Sequence, residues 1–264
     1  MVYSSTVFDP LLNPVLEALG PLPAMIIVSL AVALLTTLIY KYATDQEKMK
    51  SLKATMKRYR KKISAVKDDR DKAMKLQREM MKVNGEYMRH SFKSMLFTII
   101  PVMLFLGWFA AHFAFNPILP GESFNVTVEL KDSVDGNVSL VAPQNITVDD
   151  AVVKNGSEGV VSWTGISGPK GTYDFSVRHD PSGEEQFFSV IITDQQHYEN
   201  PVHLFEDSDS VFSRIEVGME KLLMFEGVPV LGSLPLIKKA GWLGAYILFS
   251  LIFTTVLRKV MGVA

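Results

Sequence analysis

The sequence predicts an α-helical integral membrane protein with three transmembrane helices, a helical hairpin between the first two spans and a β-domain between the last two. Three apolar runs that contain no Asp, Glu, Lys or Arg support the spans: Leu22 to Tyr40, Met95 to Phe115 and Ala240 to Leu257. Each is close to the roughly 20 helical residues that cross a hydrocarbon core of about 30 Å. Heptad spacing after the first run predicts the hairpin, and period-two alternation after the second predicts the β-domain.

The charges of the chain are segregated. Residues 41–93, the basic segment, hold 17 Lys and Arg against 7 Asp and Glu, an excess of ten positive charges, whereas the remaining residues hold 10 against 21. Positively charged loops of this length stay on the cytoplasmic side of a membrane. We therefore expect a multi-pass protein of the plasma membrane with its N-terminus and residues 116–238 outside and its C-terminus inside.

Details at the ends of the spans agree with this orientation. The first 21 residues contain no Lys or Arg, unlike the basic start of a secretory signal peptide, and the third run ends in Arg258 and Lys259. The outer residues contain four Asn-x-Ser/Thr triplets, which are candidate N-glycosylation sites: Asn125, Asn137, Asn145 and Asn155. The chain has no cysteine, so the outer domain has to fold without disulfides.

The basic segment has the heptad spacing of a coiled coil. Apolar residues recur at steps of three and four in two registers: Met49, Leu52, Met56, Tyr59, Ile63 and Val66, then Ala73, Leu76, Met80, Val83 and Tyr87. The register breaks in the charged stretch from Lys67 to Asp71. Because a break at such a stretch indicates a turn, we expect an antiparallel coiled-coil hairpin with arms of about 20 residues.

Two surface features of this hairpin have a functional and a structural interpretation. Basic residues cluster at the end of the first arm: Lys57, Arg58, Arg60, Lys61 and Lys62. These residues could bind the phosphates of ribosomal RNA without base specificity, or they could form a solvated helix surface that acts only as a topology signal. Methionines repeat every seven residues along the second arm: Met74, Met81, Met88 and Met95. They fit contacts with apolar nascent chains or the filling of the hairpin core.

The outer residues change to a period of two. Apolar and polar residues alternate in Phe124–Leu130 and Tyr173–Val177, and shorter strands are expected at 137–141, 146–148, 160–163 and 187–193. About seven short strands in roughly 75 residues predict an immunoglobulin-like β-sandwich. Beyond it, apolar residues that share one helical face predict an amphipathic interfacial helix: Val211, Ile215, Met219, Leu222 and Leu223.

These features divide the chain into seven segments. They are an outer N-terminal segment at 1–21, the first span at 22–42, the hairpin at 43–93, the second span at 94–115, the β-sandwich at 121–195, the amphipathic segment at 205–238, and the third span with the C-terminus at 239–259. The β-sandwich is thus an insertion between the second and third spans.

The sequence lacks the motifs of common enzyme classes. It has no Gly-rich phosphate loop, no paired-histidine zinc helix and no nucleophile elbow. Two histidines and two aspartates lie close together in the sequence, but their spacing matches no metal-ligand pattern: His197, His203, Asp207 and Asp209. We expect no enzymatic activity, no cofactor and no bound metal.

Polar residues are distributed unevenly along the spans. Five threonines fall in the cytoplasmic halves: Thr36, Thr37, Thr98, Thr254 and Thr255. Lys41, Lys93 and Arg258 stand at the same ends of the spans. Threonine usually bonds to the backbone of its own helix, so a structural role alone would explain each one. Together they would make the inner half of a three-helix cluster wetter than its outer half.

The order of these segments resembles a known family. An N-out span, a basic cytoplasmic coiled coil and two further spans are similar to the archaeal YidC-like proteins, relatives of bacterial YidC, mitochondrial Oxa-type insertases and the insertase subunit of the ER membrane complex. The most specific local match is Gly241 to Tyr246, then Phe253 and Leu257 to Lys259, together with the Met-rich approach to the second span. The resemblance covers residues 1–115 and 205–264. The spans contain no counterpart of the arginine inside the YidC groove.

The resemblance implies a chaperone-like membrane-protein insertase. Its spans would form a lipid-open groove, lined by the five threonines and rimmed by Lys41, Lys93 and Arg258, that eases the insertion of transmembrane segments with short translocated polar ends. The implied partners are nascent membrane proteins, the ribosome, the lipid bilayer, and a small membrane subunit or the Sec translocon. Two other classes also fit the sequence: a glycosylated cell-surface receptor that binds through its β-sandwich, and a coiled-coil membrane scaffold.

Overall fold

The computed structural model describes residues 5–66, 69–131, 135–229 and 235–263, without the side chains of residues 5–7, 93–94 and 235–236. The helices of this part of the chain are α1 (Ser5–Leu19), α2 (Pro21–Ala43), α3 (Gln46–Ala65), α4 (Arg70–Phe113), α5 (Pro235–Lys238) and α6 (Trp242–Val260). Its strands are β1 (Phe124–Leu130), β2 (Asn137–Val141), β3 (Thr147–Val148), β4 (Val153–Asn155), β5 (Val160–Ser167), β6 (Gly171–His179), β7 (Glu185–Ile192), β8 (Val202–Leu204) and β9 (Phe212–Val217).

The chain divides into two compact units. The helical unit contains Met1–Leu12, Leu22–Trp108 and Leu243–Ala264, and the β unit contains Asn13–Pro21 and Phe109–Trp242. Each unit has its own packing, so they are described separately below.

Three of the described helices are long and apolar enough to cross a membrane. The first is α2 (Pro21–Ala43), the second is the final part of α4 (Met95–Phe113), and the third is α6 (Trp242–Val260). Their bounds differ by only a few residues from the three apolar runs of the sequence. Only 39%, 22% and 11% of these apolar stretches are buried within the structure, as expected for helices that face lipid. The prediction of three apolar helices is therefore confirmed.

A helix that the sequence analysis did not predict precedes the first span. α1 ends at Leu19, and the next residue, Gly20, has a φ of 79° in the left-handed region and an amide that donates to the Leu16 carbonyl at 2.9 Å. Pro21 then begins α2, at a position where a missing N–H costs no helical hydrogen bond. Gly20 and Pro21 thus separate two helices that are contiguous in the sequence.

The two helices of the basic segment begin at aspartates. Asp45 caps α3 by accepting a hydrogen bond from the Lys48 amide at 3.0 Å, and Asp69 accepts one from the Lys72 amide at 3.1 Å at the start of α4. α3 ends just before the expected register break and α4 begins within it. Two residues of that break, Lys67 and Asp68, lie outside the described residues. α4 then continues without interruption through the second span, for 44 residues in all.

Polar side-chain contacts join the described residues of α3 and α4. Lys48 Nζ lies 2.9 Å from Glu86 Oε1, and the Lys53 ammonium lies 5.9 Å from the Tyr87 ring centroid. Tyr59 donates a hydrogen bond to Glu79 at 3.1 Å. The bond from Lys48 lowers the pKa of the Glu86 carboxyl, and the bond to Glu79 raises the pKa of the Tyr59 hydroxyl. The contacts pair an early part of α3 with a later part of α4, so the helices run in opposite directions. Coiled-coil packing stays a prediction.

The strands of the β unit form two antiparallel sheets. One has the order β3-β5-β1-β9-β8 and the other the order β4-β2-β6-β7. The two sheets share one hydrophobic core, in which Trp163, Phe175 and Phe212 are fully buried. A β-sheet domain is thus confirmed, and its predicted strands at 124–130 and 137–141 coincide with β1 and β2. The immunoglobulin-like assignment stays a prediction.

The helix predicted beyond residue 205 is wrong where the structure describes it. Residues 212–217 form strand β9, which pairs with β1 on one side and β8 on the other. Phe212, Ile215 and Val217 are buried in the shared core. Ile215 with Met219 fits a helical face and Ile215 with Val217 fits a strand, but only the strand supplies backbone hydrogen bonds to β1, and this tertiary pairing decides the conformation. The β-domain therefore extends to residue 217, beyond the predicted limit at 195.

Candidate functional site

The helical unit contains a polar groove at one end of its three candidate spans. The groove has a volume of about 220 Å³ and is lined by Val32, Ala33, Thr36, Thr37, Tyr40, Thr98, Val102, Tyr246, Ser250, Thr254 and Arg258. Its polar residues come from the last turns of α2, from the first turn of the second span, and from α6, where they extend from Tyr246 to Arg258. These three helix ends lie on the membrane side of the basic segment, because α2 leads into it and α4 leads out of it.

The structure brings four of the five predicted threonines to this groove. We call Thr36, Thr37, Thr98 and Thr254 the groove threonines. Thr255 is exposed, does not line the groove and donates to the Leu251 carbonyl at 2.7 Å. Lys41 does not line the groove either, and the side chain of Lys93 lies outside the described part of the chain.

Most of the groove hydroxyls donate to their own helix. Thr36 and Thr37 donate to carbonyls one turn earlier, at 2.8 Å and 2.6 Å, and Thr98 donates to the Met95 carbonyl at 2.9 Å. Their oxygens keep accepting capacity for water or for a polar ligand. The Thr254 hydroxyl forms no hydrogen bond with any residue that the structure describes, so it can also donate. The groove threonines thus offer mainly acceptors and at least one hydroxyl donor.

Arg258 supplies a positive charge to the groove. Its guanidinium carbon lies 4.6 Å from the centroid of the Tyr40 ring, a distance at which the ring face attracts a cation. The contact joins the last turn of α6 to the last turns of α2. Arg258, predicted at the rim of the groove, is part of the groove lining in the structure.

Three polar groove residues were not predicted from the sequence: Tyr40, Tyr246 and Ser250. A signal was present, because Tyr246, Ser250, Thr254 and Arg258 recur every four residues and share one face of α6. Thr255 is one residue out of this series, about 100° around the helix. Spacing along the helix, and not the position of a threonine within its span, therefore separates groove residues from the others.

The other candidate sites lie on exposed surfaces. The basic cluster of α3, Lys57, Arg58, Arg60, Lys61 and Lys62, is exposed throughout. The methionine line of α4 is also exposed, at 46% for Met74, 63% for Met81, 61% for Met88 and 57% for Met95. Core filling therefore does not account for the methionine line within the described residues.

All four glycosylation triplets have an exposed asparagine. Asn125 lies in β1, and Asn145 lies in a turn, where its φ of 71° suits asparagine. Asn137 and Asn155 are directly paired across β2 and β4. The structure thus leaves each of the four accessible to solvent.

The fold and the groove define a class of protein, an integral membrane protein with three apolar helices and a polar groove at one end of them. A family model described as integral membrane protein EMC3/TMCO1-like matches residues 6–141, which is 136 of the 264 residues. The chain belongs to this family, which is part of the Oxa1/YidC/Alb3 insertase superfamily. The third span lies outside the matched residues. No curated protein and no solved structure matches the chain.

Proposed function

We propose that this protein is a membrane-protein insertase of an archaeal plasma membrane. The observation that carries the proposal is the groove of the helical unit, where four threonines and Arg258 meet among three otherwise apolar helices. Membership of the EMC3/TMCO1-like family is consistent with this role. The substrate is a nascent transmembrane segment with a short polar end that has to cross the bilayer.

The groove would act by shortening the hydrophobic path. Burial of an unpaired polar group in hydrocarbon costs several kcal/mol, and a charged side chain at the centre of a spanning helix costs about 2.5–3.5 kcal/mol on insertion scales. Water held by the groove threonines would replace hydrocarbon over the first part of this path. Insertion would then need no energy source beyond the burial of the client's own apolar segment.

Arg258 would give the groove a preference for acidic ends. Its charge stands beside the aromatic ring of Tyr40, which stabilises the guanidinium without neutralising it. A translocated segment that carries Asp or Glu would be attracted into the groove, whereas a basic segment would be repelled. This preference agrees with the retention of basic loops on the cytoplasmic side.

The helical arm, which we define as α3 and residues 70–94 of α4, would receive clients at the cytoplasmic side. The exposed basic cluster suits phosphates of ribosomal RNA, and the exposed methionine line suits apolar nascent chains of varied shape. A small membrane subunit or the Sec translocon would complete the assembly. The β unit would form a glycosylated immunoglobulin-like domain outside the cell.

Purified protein in liposomes tests the proposed activity. We expect liposomes that contain the full chain to insert a single-span client with a short acidic N-terminal tail several times more efficiently than empty liposomes, as measured by protease protection of the tail. A client with a long folded N-terminal domain is the control and should gain nothing. Equal yields of the short-tailed client with and without the protein would contradict the insertase proposal and favour a receptor or scaffold.

The proposed orientation is tested with single cysteines, since the chain has none of its own. Lys62 in α3 and Ser157 in the β unit are both exposed, so cysteine at either position should react with a maleimide. In sealed cells a membrane-impermeant maleimide should label Ser157→Cys, and it should label Lys62→Cys only after permeabilisation. Labelling of Lys62→Cys in sealed cells would reverse the orientation.

A further inference from the structure

The N-terminal helix α1 has two unlike faces. Leu12 and Leu16 are buried, at 9% and 2% exposure, on one face. The opposite face is exposed and carries a single charge: Pro10, Leu11, Pro14, Glu17 and Ala18. Leu11 is 71% exposed, more than any other leucine that the structure describes. An exposed helical face of this composition suits an apolar surrounding better than water.

The first turns of α1 are attached to the second span. The rings of Phe8 and Phe105 stack with their centroids 4.5 Å apart. The Trp108 indole nitrogen donates a hydrogen bond to Asp9 Oδ1 at 3.0 Å, and Trp108 itself is fully buried. All four residues belong to the helical unit. One aromatic contact and one hydrogen bond to a carboxylate therefore fix the start of α1 against α4.

The positions of these contacts along α4 give the depth of α1. Phe105 and Trp108 precede Phe113, the last residue of α4, by eight and five residues. At about 1.5 Å per residue, they lie roughly 12 Å and 8 Å below that end of the helix. One leaflet of the hydrocarbon core is about 15 Å thick. Phe8 and Asp9 are therefore level with the acyl chains, not with the headgroups.

The other end of α1 is held at the membrane surface. Leu19 is followed by Gly20 and by Pro21, the first residue of the first span. The start of α2 and the end of α4 lie on the same side of the membrane, because the groove joins the end of α2 to the start of the second span. With 15 residues and a length of about 22 Å, α1 is too short to cross the core of about 30 Å.

We propose that α1 is a half-membrane helix, embedded in the leaflet at the carboxyl end of the second span, and that acyl chains cover its exposed face. Leu11 contacts lipid near the deep end of the helix, and Glu17 lies near the headgroups. This arrangement places Asp9 at the depth of the acyl chains. The Trp108 indole donates a hydrogen bond to its carboxylate there. The inference depends on membership of an integral membrane family and not on the insertase proposal.

Spin labels in liposomes test this placement. A nitroxide would be attached to a single cysteine at Leu11 or at Glu17, with Leu251 in the third span as the lipid control and Ser157 in the β unit as the water control, all four being exposed. Collision rates with oxygen, which partitions into lipid, and with a water-soluble nickel complex would be measured for each label.

We expect Leu11→Cys to match Leu251→Cys, with frequent oxygen collisions and at least fivefold fewer nickel collisions than Ser157→Cys. Glu17→Cys should lie between the two controls, because it is nearer the surface. A Leu11 label as accessible to nickel as the Ser157 label would overturn the proposal. A Leu11 label shielded from both reagents would overturn it too, since a protein partner and not lipid would then cover this face.

Discussion

Replacement of the four groove threonines by valine should lower the insertion of short-tailed clients by about tenfold. Valine has nearly the shape of threonine but cannot hold water, so the polar end of a client would cross the whole apolar thickness. A tenfold loss corresponds to about 1.4 kcal/mol. That is about half of the 2.5–3.5 kcal/mol that a charge costs at the centre of a spanning helix. The yield in liposomes measures the loss directly.

The fold should survive this change. Intramembrane side-chain hydrogen bonds contribute about 0.6 kcal/mol each on average, and Thr36, Thr37 and Thr98 lose only bonds to their own helix backbone. Thr255→Val is the matched control, because it removes an equivalent backbone bond outside the groove and should leave insertion unchanged. Normal insertion by the fourfold variant, at normal protein levels, would remove the groove from the mechanism.

The parts of the fold that depend on a single periodic signal could be predicted from the sequence. Uncharged runs of span length gave the three apolar helices, since few other structures tolerate such runs. Alternation in Phe124–Leu130 gave β1, because one of its faces is buried in the shared core and the other is not. The charged stretch near residue 69 marked the break between α3 and α4, where Asp69 serves as a cap.

Where two periods fit the same residues, tertiary pairing decided and the sequence did not. Ile215 and Val217 suit a strand, and Ile215 with Met219 suits a helix, so only the open edge of β1 selects β9. α1 was not predicted from the sequence for a different reason. Pro10 and Pro14 argue against a helix, yet the packing of Leu12 and Leu16 and the contacts of Phe8 and Asp9 outweigh them.

The candidate site was predictable in outline and not in detail. The crowding of threonines toward one end of the spans pointed to a polar region, and four of those five residues line the groove. Position within a span, however, gives depth and not direction. Thr255 has the right depth and faces away, whereas Ser250 lies one turn deeper and faces the groove, as its spacing of four from Thr254 requires.

The adjacent residues Thr254 and Thr255 allow the most direct test of the central claim, that client segments enter the groove. A photoreactive benzoylphenylalanine at either position would be irradiated in native membranes with a ribosome-bound, partly inserted client. Because Thr254 lines the groove and Thr255 does not, we expect client adducts from position 254 and few or none from position 255. Equal adducts from both positions, or adducts from position 255 alone, would contradict passage of the client through the groove.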